Sequence, residues 1–200
     1  MPQTFPAPHL LLHDFLLPAE HAALLTWTLD NETRFTPAGV AGNVIDPTRR
    51  SCAKLNDLGP TRDVLTTRIH AAYPGWLQQL RVSPFNLAHL ELQIVAYPDQ
   101  AHFAFHMDAA LGTDKPARNR RLTAVYYFHH EPRRFTGGDI RLYPLGAGPR
   151  SQPTVAIPPA QNTLLVFPSW VGHDVTAVHC PTQNFADSCF AVNCWLHQPA

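Results

Sequence analysis

Residues 90–108 read LELQIVAYPDQAHFAFHMD, and the fold turns on how they are taken. The first eight alternate or run apolar and include Ile94, Val95 and Tyr97, side chains that suit a pleated surface. Pro98-Asp99-Gln100 interrupts them, and a second alternating stretch then ends on His106-Met107-Asp108. This is the pattern of strand, turn, strand. Residues two apart on a strand share a face, so His106 and Asp108 are expected to project together from the strand end. A lone H-x-D is weak evidence, because 12 His and 11 Asp in 200 residues give about 0.7 such triplets by chance. Its position at a strand end gives it weight.

The same texture continues outward. Leu122 to Phe128, Asp139 to Tyr143, Thr154 to Ile157, Thr163 to Phe167, Asp174 to Val178 and Phe190 to Leu196 are short apolar or alternating runs bounded by Pro, Gly, Asp and Asn. With Leu90 to Tyr97 and Ala101 to Met107 they make eight strands at roughly 10 to 15 residue spacing with no helical pattern between them, which predicts an antiparallel sandwich or jelly roll. On the N-terminal side Pro18 to Asp30 places Ala22, Leu25 and Leu29 at helical spacing. Thr61 to Leu80 does the same with Val64, Leu65, Ile69 and Leu77, and Pro74-Gly75 is expected to break that helix. Thr36 to Asp46 reads as a loop. The expectation is one domain over 1–200, mainly β with helical backing: a helical layer and loop over 1–86 and a double-stranded β-helix (jelly roll) over 87–200.

Composition excludes several classes. Fifteen basic against 15 acidic residues leave no field to gather phosphates, which disfavours nucleic acid and anionic membranes as partners. No apolar run approaches the ~18 residues a spanning helix needs, and the N-terminal stretch lacks the basic start of a signal peptide, so a cytoplasmic location is expected. The excess of Arg over Lys, with abundant Ala and Pro, points to a GC-rich bacterial genome. Cys52, Cys180, Cys189 and Cys194 form no C-x-x-C pair and are expected to be reduced. Cys189 and Cys194, five apart, would face opposite sides of a strand.

A metal needs a third ligand from elsewhere. His173 suits: it follows the Leu164 to Phe167 strand and the Pro168 to Gly172 turn and opens the next strand. Two imidazoles and one carboxylate leave positions open, as non-haem Fe(II) requires for oxygen chemistry, whereas structural zinc favours a closed set of four.

From about Leu90 to Leu196 the order of motifs resembles the prolyl-hydroxylase-like branch of the Fe(II)/2-oxoglutarate-dependent dioxygenases. The matching pieces are Gln93 to Tyr97 with His106-x-Asp108, Arg121-Leu-Thr-Ala-Val-Tyr-Tyr-Phe128, Gly137-Gly-Asp-Ile-Arg-Leu-Tyr-Pro144, Leu165-Val-Phe-Pro-Ser-Trp-Val-Gly-His173 and Phe190-Ala-Val-Asn-Cys-Trp195. The resemblance implies that His106, Asp108 and His173 hold iron and act catalytically, and that Tyr97 and Tyr127 line a 2-oxoglutarate pocket. It also implies O2 as oxidant, ascorbate as an auxiliary reductant, and hydroxylation of a prolyl residue or small molecule. Halogenating relatives lack the carboxylate; Asp108 is present, which favours hydroxylation.

One departure stands out. Where the family starts its last strand with a basic residue that pairs with the distal carboxylate of 2-oxoglutarate, this chain has Cys189, and no Lys or Arg follows Arg150. Asn193, on the Cys189 face, offers an amide donor, and His179 is a further candidate. Arg141 is expected to face outward. The substitution keeps two rivals open: an iron oxygenase with another co-substrate, and a non-catalytic metal- or ligand-binding jelly roll. Trp195, Arg120 and His102 are candidates for the substrate mouth. Against that, Arg49-Arg50 and Arg120-Arg121 read more simply as solvated faces, His129-His130-Glu131 as a solvated loop, and Phe103, Phe105, Phe128, Phe167 and Trp170 as core.

Overall fold

Alternation along the long strands sorts their side chains into two cores. The computed structural model describes residues 6–40, 44–109 and 119–199. In chain order it contains β1 (Leu10–His13), α1 (Pro18–Asp30), β2 (Thr36–Pro37), β3 (Ala53–Leu55), α2 (Thr61–Leu80), β4 (His89–Tyr97), β5 (Phe103–His106) and β6 (Arg120–Phe128). Then come β7 (Thr136–Gly137), β8 (Ile140–Leu142), β9 (Val155–Ile157), β10 (Thr163–Pro168), β11 (His173–Val175), β12 (Val178–His179) and β13 (Cys189–His197). A seven-stranded sheet runs β1-β10-β6-β13-β4-β3-β2, a four-stranded sheet runs β5-β11-β8-β9, and β12 pairs with β7. The protein is a jelly roll with helical backing; seven of the eight expected strands are present as single strands, and the expected Asp174 to Val178 strand is split into β11 and β12, which join different sheets.

Even-numbered residues of the central strands (Leu92, Ile94 and Ala96; Leu122, Ala124, Tyr126 and Phe128; Phe190, Val192, Cys194 and Leu196) pack with Leu65, Ile69, Trp76 and Leu77 of α2. Odd-numbered ones (Val95, Tyr97, Val125, Tyr127, Cys189, Ala191) pack against Ile140 and Leu142 of the smaller sheet. Each fully buried Leu, Ile or Phe contributes on the order of 2 kcal/mol, so the helix-facing core holds the large sheet flat side down while its other face is left free to form a site. Cys189 and Cys194 fall in different cores, as their spacing requires, and all four thiols are free and buried.

Helix α1 starts on Pro18, with the Glu20 carboxylate accepting from the Leu17 N–H at 2.8 Å. Its most buried side chains are Leu24 and Thr28 rather than the Ala22 stripe; the Thr28 hydroxyl is satisfied by donating to Leu24 O at 2.8 Å. Tyr126 ties this helix down: its hydroxyl donates to Asn162 Oδ1 at 2.8 Å and lies 2.6 Å from His21 Nδ1.

Three expectations need correction. Helix α2 runs unbroken through Pro74-Gly75 to Leu80, because Trp76, Leu77 and Leu80 beyond the proline are buried and hold the last turns in line despite the missing N–H. The first third is not purely helical. Strand β1 pairs with β10, β3 pairs with β4, and Thr36–Pro37, expected to be loop, forms the two-residue edge strand β2. These strands are too short for periodicity to reveal. Residues 41–43 of the Thr36 to Asp46 loop lie outside the described residues. Trp170, expected in the core, is 40% exposed. Among the described residues no helix is long and apolar enough to cross a membrane.

Pro74 and Gly75 are both exposed, and a Cβ at Gly75 meets nothing. Gly75→Ala is therefore expected to raise the unfolding free energy by ~0.5–1 kcal/mol and Pro74→Ala by at least as much, measured by urea denaturation.

Candidate metal centre

His106 closes β5 and His173 opens β11, and the two are direct cross-strand partners. Partners in an antiparallel pair share a face with Cβ atoms ~5 Å apart, so register alone brings the imidazoles together; their ring centroids are 4.1 Å apart. Asp108 follows two residues after His106, and the chain there is fixed by Asp108 N and Ala109 N donating to Ser169 O at 3.1 and 2.9 Å. Candidate ligand atoms from His106, Asp108 and His173 all lie within 4.8 Å of one another.

Each imidazole is oriented by its own strand. His106 Nδ1 lies 2.9 Å from Ala104 O and His173 Nδ1 2.9 Å from Val171 O. A carbonyl only accepts, so both Nδ1 atoms carry the proton and both Nε2 lone pairs are free. Burial, with His173 adding to it, pushes His106 down to about 3, so the ring is neutral and able to ligate. Burial alone would raise Asp108, but His173, His106, Arg120 and the Thr123 hydroxyl hold it below the usual carboxylate range. Thr123 Oγ1 donates to Asp108 Oδ2 at 2.7 Å and lies 3.0 Å from Ser169 Oγ. Phe103 stacks on His106 at 3.6 Å and Phe167 meets His173 edge-on at 4.9 Å.

Two imidazoles tethered through Nδ1 and one carboxylate, with no fourth His, Cys, Asp or Glu joining them among the described residues, suit a divalent metal that keeps coordination positions open, of which Fe(II) is the type. The triad opens on a cavity between the two sheets.

Tyr97, Tyr127, Cys189, Asn193 and Trp195 all line this cavity, together with Val125, Ile140 and Ala191. Burial raises both phenols well above their ordinary range, so they are neutral donors, and neither hydroxyl has a protein partner among the described residues. Burial pushes the Cys189 thiol up to about 12, which makes it a neutral wall atom. A Cβ at Gly138, where φ is +74°, would lie 3.0 Å from Val178 Cγ2, so a left-handed glycine lets that turn close on the Cys189 end. No Lys or Arg lines the cavity among the described residues.

At the mouth the Arg120 guanidinium lies 4.1 Å over the Trp195 ring and 2.8 Å from Glu91, so it is not a freely solvated charge. Trp195 Nε1 is buried without a partner among the described residues. His102 is elsewhere: its ring nitrogens sit 3.0 Å from Ser51 Oγ and 3.2 Å from Gln100 O and Thr48 O, because it precedes β5 on the side that pairs with residues 49–51. His179 is exposed beside Asp99 and does not approach the cavity. Arg141 faces outward and pairs with Asp174, as its neighbours Ile140 and Leu142 imply. His129 is buried edge-on to Phe135, unlike the exposed His130 and Glu131 after it. Sequence reading missed the role of Thr123 and the burial of Arg50. Thr123 shares the Val125 and Tyr127 face, which was a usable signal. Arg50, read as solvated, is buried; the three-residue Arg50-Ser51-Cys52 stretch is too short to show a period.

Residues 92–197 match the family model of the 2OG-Fe(II) oxygenase superfamily. An uncharacterized PKHD-type hydroxylase of Synechocystis sp. is 33% identical over 195 residues, 94% of this chain; the chain spans 62% of that relative's length. A Trichoplax adhaerens prolyl hydroxylase solved with a hypoxia inducible factor peptide fragment aligns with TM-score 0.70 at 18% identity, over 96% of this chain and 84% of that one. A Pseudomonas putida prolyl-4-hydroxylase aligns with TM-score 0.69 at 19% identity, over 96% and 94%. At such identities the two structures speak for the fold.

Thr123→Val removes the donor to Asp108 and keeps the shape, so Mn(II) affinity measured by calorimetry should fall about tenfold with the thermal midpoint little changed. Iodoacetamide at pH 8 should leave Cys189 unmodified in the native protein and modify it after denaturation, as peptide mass mapping would record.

Proposed function

Because this chain belongs to the 2OG-Fe(II) oxygenase superfamily, we propose that it is an Fe(II)- and 2-oxoglutarate-dependent dioxygenase that hydroxylates an unactivated C–H bond. The observation that carries this is the convergence of His106, Asp108 and His173 within 4.8 Å at the edge of a cavity between the sheets. With Fe(II), 2-oxoglutarate and O2 bound, the site would supply oxidation of C–H to C–OH, with succinate and CO2 as co-products.

The chain's own residues have distinct tasks. His106 and His173 present Nε2 lone pairs held by their Nδ1 tethers, and Asp108 presents one carboxylate oxygen while Thr123 occupies the other. Phe103 and Phe167 wall the triad with aromatic surface and limit water. Tyr97 and Tyr127 offer neutral hydroxyls to the co-substrate tail, with Cys189 and Asn193 completing that wall. Trp195, stiffened by Arg120, offers a flat face at the mouth for a compact ring or aliphatic group, as in a prolyl residue of a peptide or a small molecule. Because Asp108 fills the carboxylate position, hydroxylation is favoured over halide transfer. Ascorbate is the natural reductant to add in assays, and a cytoplasmic setting fits the reduced thiols.

One observation favours a second reading. With Cys189 where a cation is expected and no cation in the cavity lining, the fold would bind metal without turning over 2-oxoglutarate.

Succinate formation from 2-oxoglutarate with Fe(II) and ascorbate separates the two. Iron-dependent succinate, lost at least a hundredfold in Asp108→Ala, supports the oxygenase; its absence at every 2-oxoglutarate concentration supports the second reading.

A further inference from the structure

Resting on the reading of 2-oxoglutarate as co-substrate, we propose that Arg50 holds its distal carboxylate, supplying the charge that Cys189 does not. Arg50 lies where the chain crosses from one sheet to the other: it bridges Phe103 of β5, and three residues later Ala53 pairs with Ala96 of β4. Cross-strand partners share a face, and the Phe103 ring lines the cavity. The Arg50 guanidinium stands 4.6 Å over that ring, behind the cavity lining rather than in it, so a ligand reaches it when the Phe103 ring shifts. Cys52, two residues on and therefore on the same face, packs in the core between the sheets with Tyr97.

The residue is only 9% exposed, and no carboxylate among the described residues forms an ion pair with it. Nε is 3.2 Å from Cys52 Sγ and Nη1 donates to Gly39 O at 2.9 Å, while Nη2 is buried with no partner among the described residues. A buried cation without an anion is costly, and a buried N–H without an acceptor adds to the cost. Such a group makes sense when an anion arrives from outside. Burial opposes the charge on Arg50, but its surroundings, the Asp108 carboxylate among them, hold the guanidinium charged. It therefore lies within electrostatic reach of both the Tyr97 phenol and the metal-binding carboxylate. Nη2 is a charged donor still free to take a carboxylate oxygen, and the Tyr97 hydroxyl in the cavity lining is a neutral one.

The other arginines around the cavity are committed. Arg120 is paired with Glu91 at the mouth, and Arg141 with Asp174 on the outer face. Arg133 is exposed and donates to Phe135 O and Gly137 O.

The test compares 2-oxoglutarate with 2-oxopentanoate, which has a methyl in place of the distal carboxylate, by calorimetry on Mn(II)-loaded protein under nitrogen. The wild type should prefer 2-oxoglutarate at least tenfold. Arg50→Met should weaken 2-oxoglutarate ten- to a hundredfold and leave 2-oxopentanoate within threefold, erasing the preference while Mn(II) affinity is kept. Adding Cys189→Arg to Arg50→Met should restore it from the other wall. Arg50→Lys keeps the cation and carries the test if the methionine variant does not fold; it should retain part of the preference. A preference unchanged in Arg50→Met or absent in wild type overturns the role of Arg50 and leaves the oxygenase reading standing. Wild type that binds neither keto acid overturns both.

Discussion

The pairing of His106 with His173 across β5 and β11 is the constraint on which the site depends. Because they are directly opposed, a slip of one residue would turn His173 to the outer face, where Asp174 now sits. That outer position is itself pinned. Asp174 is the cross-strand partner of Arg141, accepts from its Nε at 2.8 Å and accepts from the Tyr143 hydroxyl at 2.8 Å. Gly172 protects the approach, since a Cβ there would lie 2.7 Å from the Phe105 ring. An outer charge clamp and an inner close approach thus hold one strand in the register that brings the inner imidazole to its partner.

Much of this was legible from alternation. The strands β4, β6, β10 and β13 are long enough for a period of two to declare which residues face helix and which face cavity, and Tyr127, Cys189, Asn193 and Trp195 fall on the cavity face for that reason. Helix bounds were legible too, because Pro18 and Thr61 stand at the helix starts. What escaped were features that only tertiary packing decides. The β1, β2 and β3 strands borrow their pairing from longer neighbours. The fate of His102 depends on residues 48–51, remote in sequence. Arg50 looked like a solvated charge because adjacent arginines usually are; its burial follows from bridging Phe103, which no local pattern announces.

The cavity concentrates neutral donors rather than charges. Tyr97, Tyr127 and Cys189 are all held protonated by burial, so apart from Asp108 the wall offers hydrogen bonds without net charge. In so dry a setting a single cation weighs heavily, and where it stands decides which end of an anionic ligand is favoured. In the proposed role, the Arg50 guanidinium would act from behind Phe103 rather than from the start of β13. The same task would then be met from another strand.

The Nδ1 tethers of the two histidines have one more implication. Both run to main-chain carbonyls two residues earlier, Ala104 O and Val171 O, not to side chains. A carbonyl survives any substitution at its own position, so the choice of donor nitrogen is inherited from backbone shape and cannot be lost by point mutation of a supporting residue. The surroundings of the triad are correspondingly free to drift: new appetites can be written into the walls while the coordinating nitrogens stay as they are.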